Sequence, residues 1–453
     1  MTMAIPSAAT TLSSVNISPS ATVDLDATYR KIAWRIMPFL MLCYVVAYLD
    51  RVNVGFAKLD MMRSFTDFNP GTAEAVYGLG AGLFFVGYFL FEIPSNLILH
   101  RVGAKLWIAR IMITWGLISG AFAWVDNRYA FYAMRFLLGA AEAGFYPGVI
   151  LYLTYWFPSH RRAKMVAVFM AAIPVSGIFG NPLSGWIMKA LENTHGWAGW
   201  QWMFMIEAVP AVLVGIAVIF YLDNGIRKAR WLSEEEKVLI EKDIALHQAP
   251  PESHTSGEAV RAVFRSGFVW LCCAIYFCFV MGQYAITFWL PTLVKASGIS
   301  DKLMIGVYAA IPNILTVIVM ILVGRSADRM QERRWHLVVP AMVGAVGFSA
   351  AAAIGASNPM LGIIALSFAA AGAITCAPLF WSLPTALMSG TVAAAGIALI
   401  NSVGNLAGYA SPNLIGMLSD ATGNTEVAMY VIALSLVIGS ALVLTTPADK
   451  VNR

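Results

Sequence analysis

Twelve runs of apolar residues govern what this chain can become, each near the roughly 20 residues that cross about 30 Å of hydrocarbon. They fall near 33–55, 75–98, 105–125, 129–153, 164–188, 202–222, 267–293, 303–323, 336–356, 358–382, 390–416 and 427–446. In lipid every backbone N–H and C=O must be satisfied internally, and runs of this length achieve that as α-helices. An all-α membrane protein with twelve transmembrane helices is therefore expected. Length alone would suggest three soluble domains. Yet 59% of the 453 residues are hydrophobic and only 12% charged, where a soluble domain carries about 25% charge. That is too little charge to coat three separate surfaces.

The runs divide six and six. A tail over 1–32 precedes a first bundle over 33–222, a linker over 223–266, a second bundle over 267–446, and a short tail over 447–453. The first tail is rich in Ser, Thr and Ala and has no Lys or Arg before Arg30, unlike a secretory signal with its basic start and apolar core. In the linker, Ser233 followed by Glu234, Glu235 and Glu236 predicts an N-cap and the acidic first turn of an interfacial helix.

Charge placement gives orientation. With both tails and the linker on one side, that side holds 22 Lys and Arg and the other holds 6. The positive-inside rule then puts both termini in the cytoplasm of a plasma membrane, the inner membrane in a bacterium. Two basic residues remain, Arg51 and Arg135, both at membrane depth.

Several chemistries are excluded. The five cysteines lie inside apolar runs, and the six histidines fall at run ends or in loops, so neither a disulfide framework nor a metal pair is expected. No G-x-x-x-x-G-K-[ST] loop occurs, which argues against ATP use. A net charge of +5 is too small to suggest nucleic acid. No nucleophile or cofactor constellation is visible, so the chain does not read as an enzyme, and protons are the only coupling partner expected. A sensor would add a soluble signalling domain, for which the linker is too short.

The two halves echo each other. After the second run come Asn96, His100, Arg101, Gly103 and Lys105; after the eighth come Gly324, Asp328 and Arg329. Both resemble the G-x-x-x-D-R-x-G-x-[RK] loop of the major facilitator superfamily, and two copies at corresponding places point to internal duplication. The resemblance implies two six-helix pseudo-repeats around a central cavity, and a monomer. Asp328 and Arg329 are expected to form a cytoplasmic latch between helices.

A narrower resemblance runs through Tyr48, Asp50, Arg51 and Asn53, then Arg135, Gly139, Glu142 and Gly144, then Tyr146, Pro147, Gly148, Trp156, Phe157 and Pro158. These look like the anion:cation symporter family, with its galactonate, tartrate, hydroxyphenylacetate and phthalate transporters. Uptake of an organic carboxylate with protons is implied. In galactonate-type members the tenth span carries a Trp and the eleventh an Asn 20 residues later, a spacing matched by Trp381 and Asn401. Tyr48 and Tyr88 match as well.

The residues also speak for themselves. A charge at mid-bilayer costs at least about 2.5–3.5 kcal/mol, so such groups face a cavity and a partner. Arg51 and Arg135 suit a substrate carboxylate, because a guanidinium binds it bidentately and stays charged. Asp50 and Glu142 are the groups able to change charge. Seven residues bring a helix back within about 20° of the same face, which puts Arg135 and Glu142 together and lets Glu142 compete for the Arg135 fork. Asp50 and Arg51 diverge by about 100° and cannot share a partner. Glu92 and Glu207 are further intramembrane acids with less to support a proton role. The second half has no charge within its runs, so its site-facing groups are chosen from Gln283, Trp289, Trp381, Ser382, Asn401 and Asn405. The fifth run is dense in Gly and Pro, at Pro174, Gly177, Gly180, Pro182 and Gly185. That suits a hinge and loosely resembles exchangers of the superfamily, so exchange stands as the alternative to symport.

Overall fold

The computed structural model describes residues 24–247, 261, 263–355, 357–387 and 390–448. The start of the expected N-terminal tail, the middle of the linker and the last five residues lie outside the described residues. Apart from one isolated bridge between Thr194 and Trp197, the regular structure among the described residues is helical.

The first half comprises α1 (Leu25–Met61), α2 (Ala73–Val102), α3 (Ala104–Ala121), α4 (Arg128–Glu142), α5 (Phe145–Thr154), α6 (Ser159–Met170), α7 (Ala172–Ala190) and α8 (Gly199–Tyr221). After α9 (Glu234–His247) come α10 (Gly267–Ala296), α11 (Lys302–Met330), α12 (Arg334–Ile354), α13 (Pro359–Phe380), α14 (Ser382–Leu387), α15 (Gly390–Thr422) and α16 (Glu426–Leu444). Among the described residues eleven segments are long and apolar enough to cross a membrane. The remaining expected run falls on α15, whose 33 residues also carry Asn401, Asn405 and Asn413.

Two features depart from the apolar pattern. First, α1 starts at Leu25, within the stretch expected to be a tail. Hydropathy misses this turn because its support is amphipathic: Tyr29 and Ile32 are buried, and the Tyr29 hydroxyl donates to Asp243 of α9 at 2.7 Å. Second, three expected spans are interrupted. The fourth breaks between Glu142 and Phe145, the fifth at Ala171 and the tenth at Trp381. At the first break Gly144 has φ +88°, a left-handed conformation that costs a side chain about 1–2 kcal/mol.

Three ion pairs join the two halves among the described residues, all at the end opposite α9. Lys302 reaches Asp60 at 2.5 Å and Glu192 at 2.7 Å, and Lys189 reaches Asp301 at 2.5 Å. Glycines let the backbones meet there, as small residues do between membrane helices. A Cβ on Gly78 would lie 2.3 Å from the Pro412 carbonyl oxygen, and one on Gly306 would lie 2.4 Å from that of Asn181.

At the other end α9 docks on the first half. It opens with a reciprocal cap: the Glu236 N–H donates to Ser233 Oγ at 3.1 Å, and the Ser233 N–H donates to the Glu236 carboxylate at 2.8 Å. Lys31 of α1 donates to the same carboxylate at 2.8 Å. Partial burial pushes the Glu236 carboxyl up, but Lys31 and Ser233 outweigh it and hold it below its ordinary value. A depressed carboxyl stabilises the docked helix at neutral pH, and that contribution is lost as pH falls through the lowered value. Glu236→Gln should therefore speed amide hydrogen exchange across 234–247 by about two- to fivefold at neutral pH. Acidifying the parent should reproduce the effect; exchange unchanged in both would mean that this tie does not hold α9.

Candidate functional site

Tyr44, Tyr48 and Arg51 recur at four- and three-residue steps and so share one face of α1. Arg51 Nη2 donates to Glu142 Oε1, a buried ion pair that bridges α1 to the last residue of α4. The guanidinium carbon sits 4.8 Å from the Tyr48 ring centroid and 5.1 Å from that of Phe84, within cation–π range. Arg51 Nε is buried and has no hydrogen-bond partner. The helix break fixes the acid. With α4 ended at Glu142, the Ala143 carbonyl accepts from Ser95 Oγ at 2.6 Å, and Ser95 Oγ accepts from Trp107 Nε1 at 2.9 Å.

This pair faces a cavity of about 80 Å³ between the halves. The first half supplies Tyr44, Tyr48, Arg51, Phe85, Tyr88, Glu142, Phe145 and Tyr146, and the second supplies Tyr276, Gln283, Tyr284, Trp381, Asn401 and Asn405. Trp381 occupies the break of the tenth span, with its ring 5.0 Å from that of Tyr276. Spans four and ten hold corresponding places in a six-plus-six repeat. Helices interrupted at corresponding places mark binding sites in transporter folds.

Of the residues singled out from sequence, Tyr48, Arg51, Tyr88, Glu142, Trp381 and Asn401 line this cavity. Arg135 does not. It is fully buried behind Phe84, with its Nε and Nη2 donating to the Gly80 and Ala81 carbonyls at 3.3 Å each. The expected Arg135–Glu142 competition is replaced by Arg51–Glu142: Arg135 sits about 10 Å back along α4 with its fork on the α2 carbonyls, while Arg51 of α1 reaches the acid directly. Asp50 is also set back from the cavity, accepting from Trp115 Nε1 and Ser119 Oγ of α3 at 3.0 Å each. Asp328 and Arg329 are exposed at the α9 end, and no ion pair between them and another helix is found among the described residues. The expected latch is thus not closed here.

Glu207 is buried, accepting from Ser184 Oγ at 2.6 Å through one oxygen while the other has no hydrogen-bond partner. Trp289 lies above the cavity, 3.7 Å under the ammonium of Lys58, which also pairs with Glu74 and donates to Thr292 at 3.1 Å. Sequence reasoning missed Tyr44, Tyr276 and Tyr284, and named Tyr146 only within the family likeness, with no role in the site. Helical spacing offered a signal for two of them: Tyr44 precedes Tyr48 by four residues, and Tyr276 precedes Gln283 by seven.

The family model for the Major Facilitator Superfamily matches residues 40–412. The chain belongs to that superfamily. It is 46% identical over 438 residues to NicT of Pseudomonas putida, a candidate metabolite transport protein, covering 95% of this chain and 98% of that one. It is also 46% identical over 424 residues to a candidate tartrate transporter of Agrobacterium vitis, covering 93% and 92%. The fold is similar to that of the xylose transporter XylE of E. coli in a partially occluded inward-open conformation, with a TM-score of 0.73 at 14% identity, over 93% of this chain and 99% of that one. The chain is thus a multi-pass membrane transporter with a small-molecule substrate, not an enzyme.

The break at Gly144 gives a direct test of site construction in this superfamily member. A Cβ there would lie 2.2 Å from Ser95 Oγ, on a backbone at φ +88°. Gly144→Ala should lower stability in detergent by about 1–3 kcal/mol, read by thermal unfolding. A variant as stable as the parent would show that the break tolerates a side chain.

Proposed function

We propose that this transporter takes up a small organic carboxylate together with protons, by rocking of its two six-span halves about the central cavity. The observation that carries this reading is the Arg51–Glu142 pair on the cavity wall, with Arg51 Nε buried and unpartnered. A guanidinium offers a planar fork to a carboxylate. Half of this fork is free, and the other half is occupied by an acid that releases it on taking a proton. The relative named for tartrate transport supports an organic acid as substrate.

Protonation of Glu142 removes the intramolecular competitor and leaves Arg51 to the incoming anion, so proton and substrate binding become positively linked. The anion and proton together bring no net charge into the low dielectric, which favours closure of the loaded carrier. Arg135 backs the site as a fixed positive charge, held by carbonyls. Asp50, among neutral donors of α3, is a second group able to carry a proton. With 22 basic residues on the α9 side against 6 on the other, the end tied by Lys302 and Lys189 faces outward and the cavity communicates with the cytoplasm. The transporter acts as a monomer in the bacterial inner membrane, without ATP, and Asp328 and Arg329 latch its cytoplasmic end in the opposite state.

Glu142→Gln imitates the protonated acid permanently. In vesicles it should bind and exchange a labelled carboxylate yet accumulate at least about tenfold less of it against a gradient. Accumulation equal to the parent would remove Glu142 from coupling. Rocking has its own test, in a background with the five native cysteines replaced by alanine. Cysteines at Asp60 and Lys302, joined by a short cleavable thiol reagent, should stop uptake until the link is cut. Full uptake with the link intact contradicts opening of that end.

A further inference from the structure

We infer that the site takes its substrate as a monoanion: one carboxylate on a body whose other polar groups are uncharged. This rests on the reading of the cavity as a carboxylate site and narrows it. Among the described residues lining the cavity, Arg51 is the one cation and Glu142 the one acid. The next cations are committed elsewhere. Arg135 lies fully buried behind Phe84 with its fork on two backbone carbonyls. Lys58 lies beyond the Tyr77 and Trp289 rings, paired with Glu74. The remaining polar lining is neutral, made of tyrosine hydroxyls from both halves and the amides of Gln283, Asn401 and Asn405.

Charge balance then selects the substrate. Empty, the Arg51–Glu142 pair is neutral. With a monoanion on Arg51 and a proton on Glu142, the site is neutral again. A dianion under the same conditions leaves its second carboxylate with no cation on the cavity wall to pair with, since Arg135 stands behind Phe84 and acts only as a background charge. Burying a charge without a paired counter-ion is strongly unfavourable. The tyrosines and amides suit the rest of the molecule instead: they exchange hydrogen bonds with hydroxyl or ring-nitrogen groups and stack on a flat or ring-shaped body. A diacid should enter only in its singly protonated form.

The test uses matched probes that differ in one charge: 4-hydroxybenzoate against 4-hydroxyphthalate, and tartrate against its mono-amide. Each is titrated into the purified full-length transporter in lipid vesicles near neutral pH, where both carboxyls of a diacid are ionised. The singly charged member of at least one pair should bind about tenfold or more tighter than its diacid, and diacid binding should strengthen on acidification in step with its monoanion fraction. Equal or tighter binding of the diacids near neutral pH overturns the inference while leaving the carboxylate reading intact. Binding of none of the four overturns both. Gln283→Arg supplies the missing second cation. Once shown to reach the membrane and fold, it should shift preference toward the diacid by about tenfold, and an unchanged preference in the folded variant also overturns the inference.

Discussion

A guanidinium and a carboxylate buried at membrane depth must find each other, and in this chain that requirement organises the site. The cost of leaving either alone is several kcal/mol, so the Arg51–Glu142 pair pins the middle of α1 to the end of α4. The fourth span can break after Glu142 because Gly144 accepts the left-handed turn and Ser95 satisfies the freed carbonyl of Ala143. The acid is thereby placed at a helix terminus beside the cavity rather than in the middle of a rigid rod. Cavity, break and ion pair are one construction.

The closed end is built on a different principle. Lys302, Lys189 and their acids are partly exposed, and ion pairs of that kind contribute at most about 1 kcal/mol each. Glycines at the same end allow backbone-to-backbone packing that has no side chains to interlock. Such a surface holds together by area and has no interlocked side chains to unthread.

Much of this was legible in the sequence, because lipid imposes simple rules. Twelve apolar runs and the duplicated loop led to the fold, and helical spacing together with family likeness led to Tyr48, Arg51, Tyr88, Glu142, Trp381 and Asn401 on the cavity wall. The partner of Glu142 was not legible. A seven-residue step places Arg135 and Glu142 on one face of an unbroken helix, and nothing in that step says that α1 brings a second guanidinium closer. Asp50 is the converse case: its neighbour Arg51 faces the cavity, so a rotation of about 100° sends Asp50 toward Trp115 and Ser119 instead. Early helix formation at Leu25 was hidden because its stabilising contact, with Asp243, is more than two hundred residues away.

Every Asp, Glu, Lys and Arg at membrane depth belongs to the first six runs, and the last six contribute only uncharged groups to the cavity. The two faces of the site therefore carry different chemistry. Replacements at Gln283, Trp381, Asn401 or Asn405 change the outline and hydrogen bonding of the cavity without altering its Arg51–Glu142 pair. The outline of the cavity can therefore change in one half while the charged pair in the other stays in place.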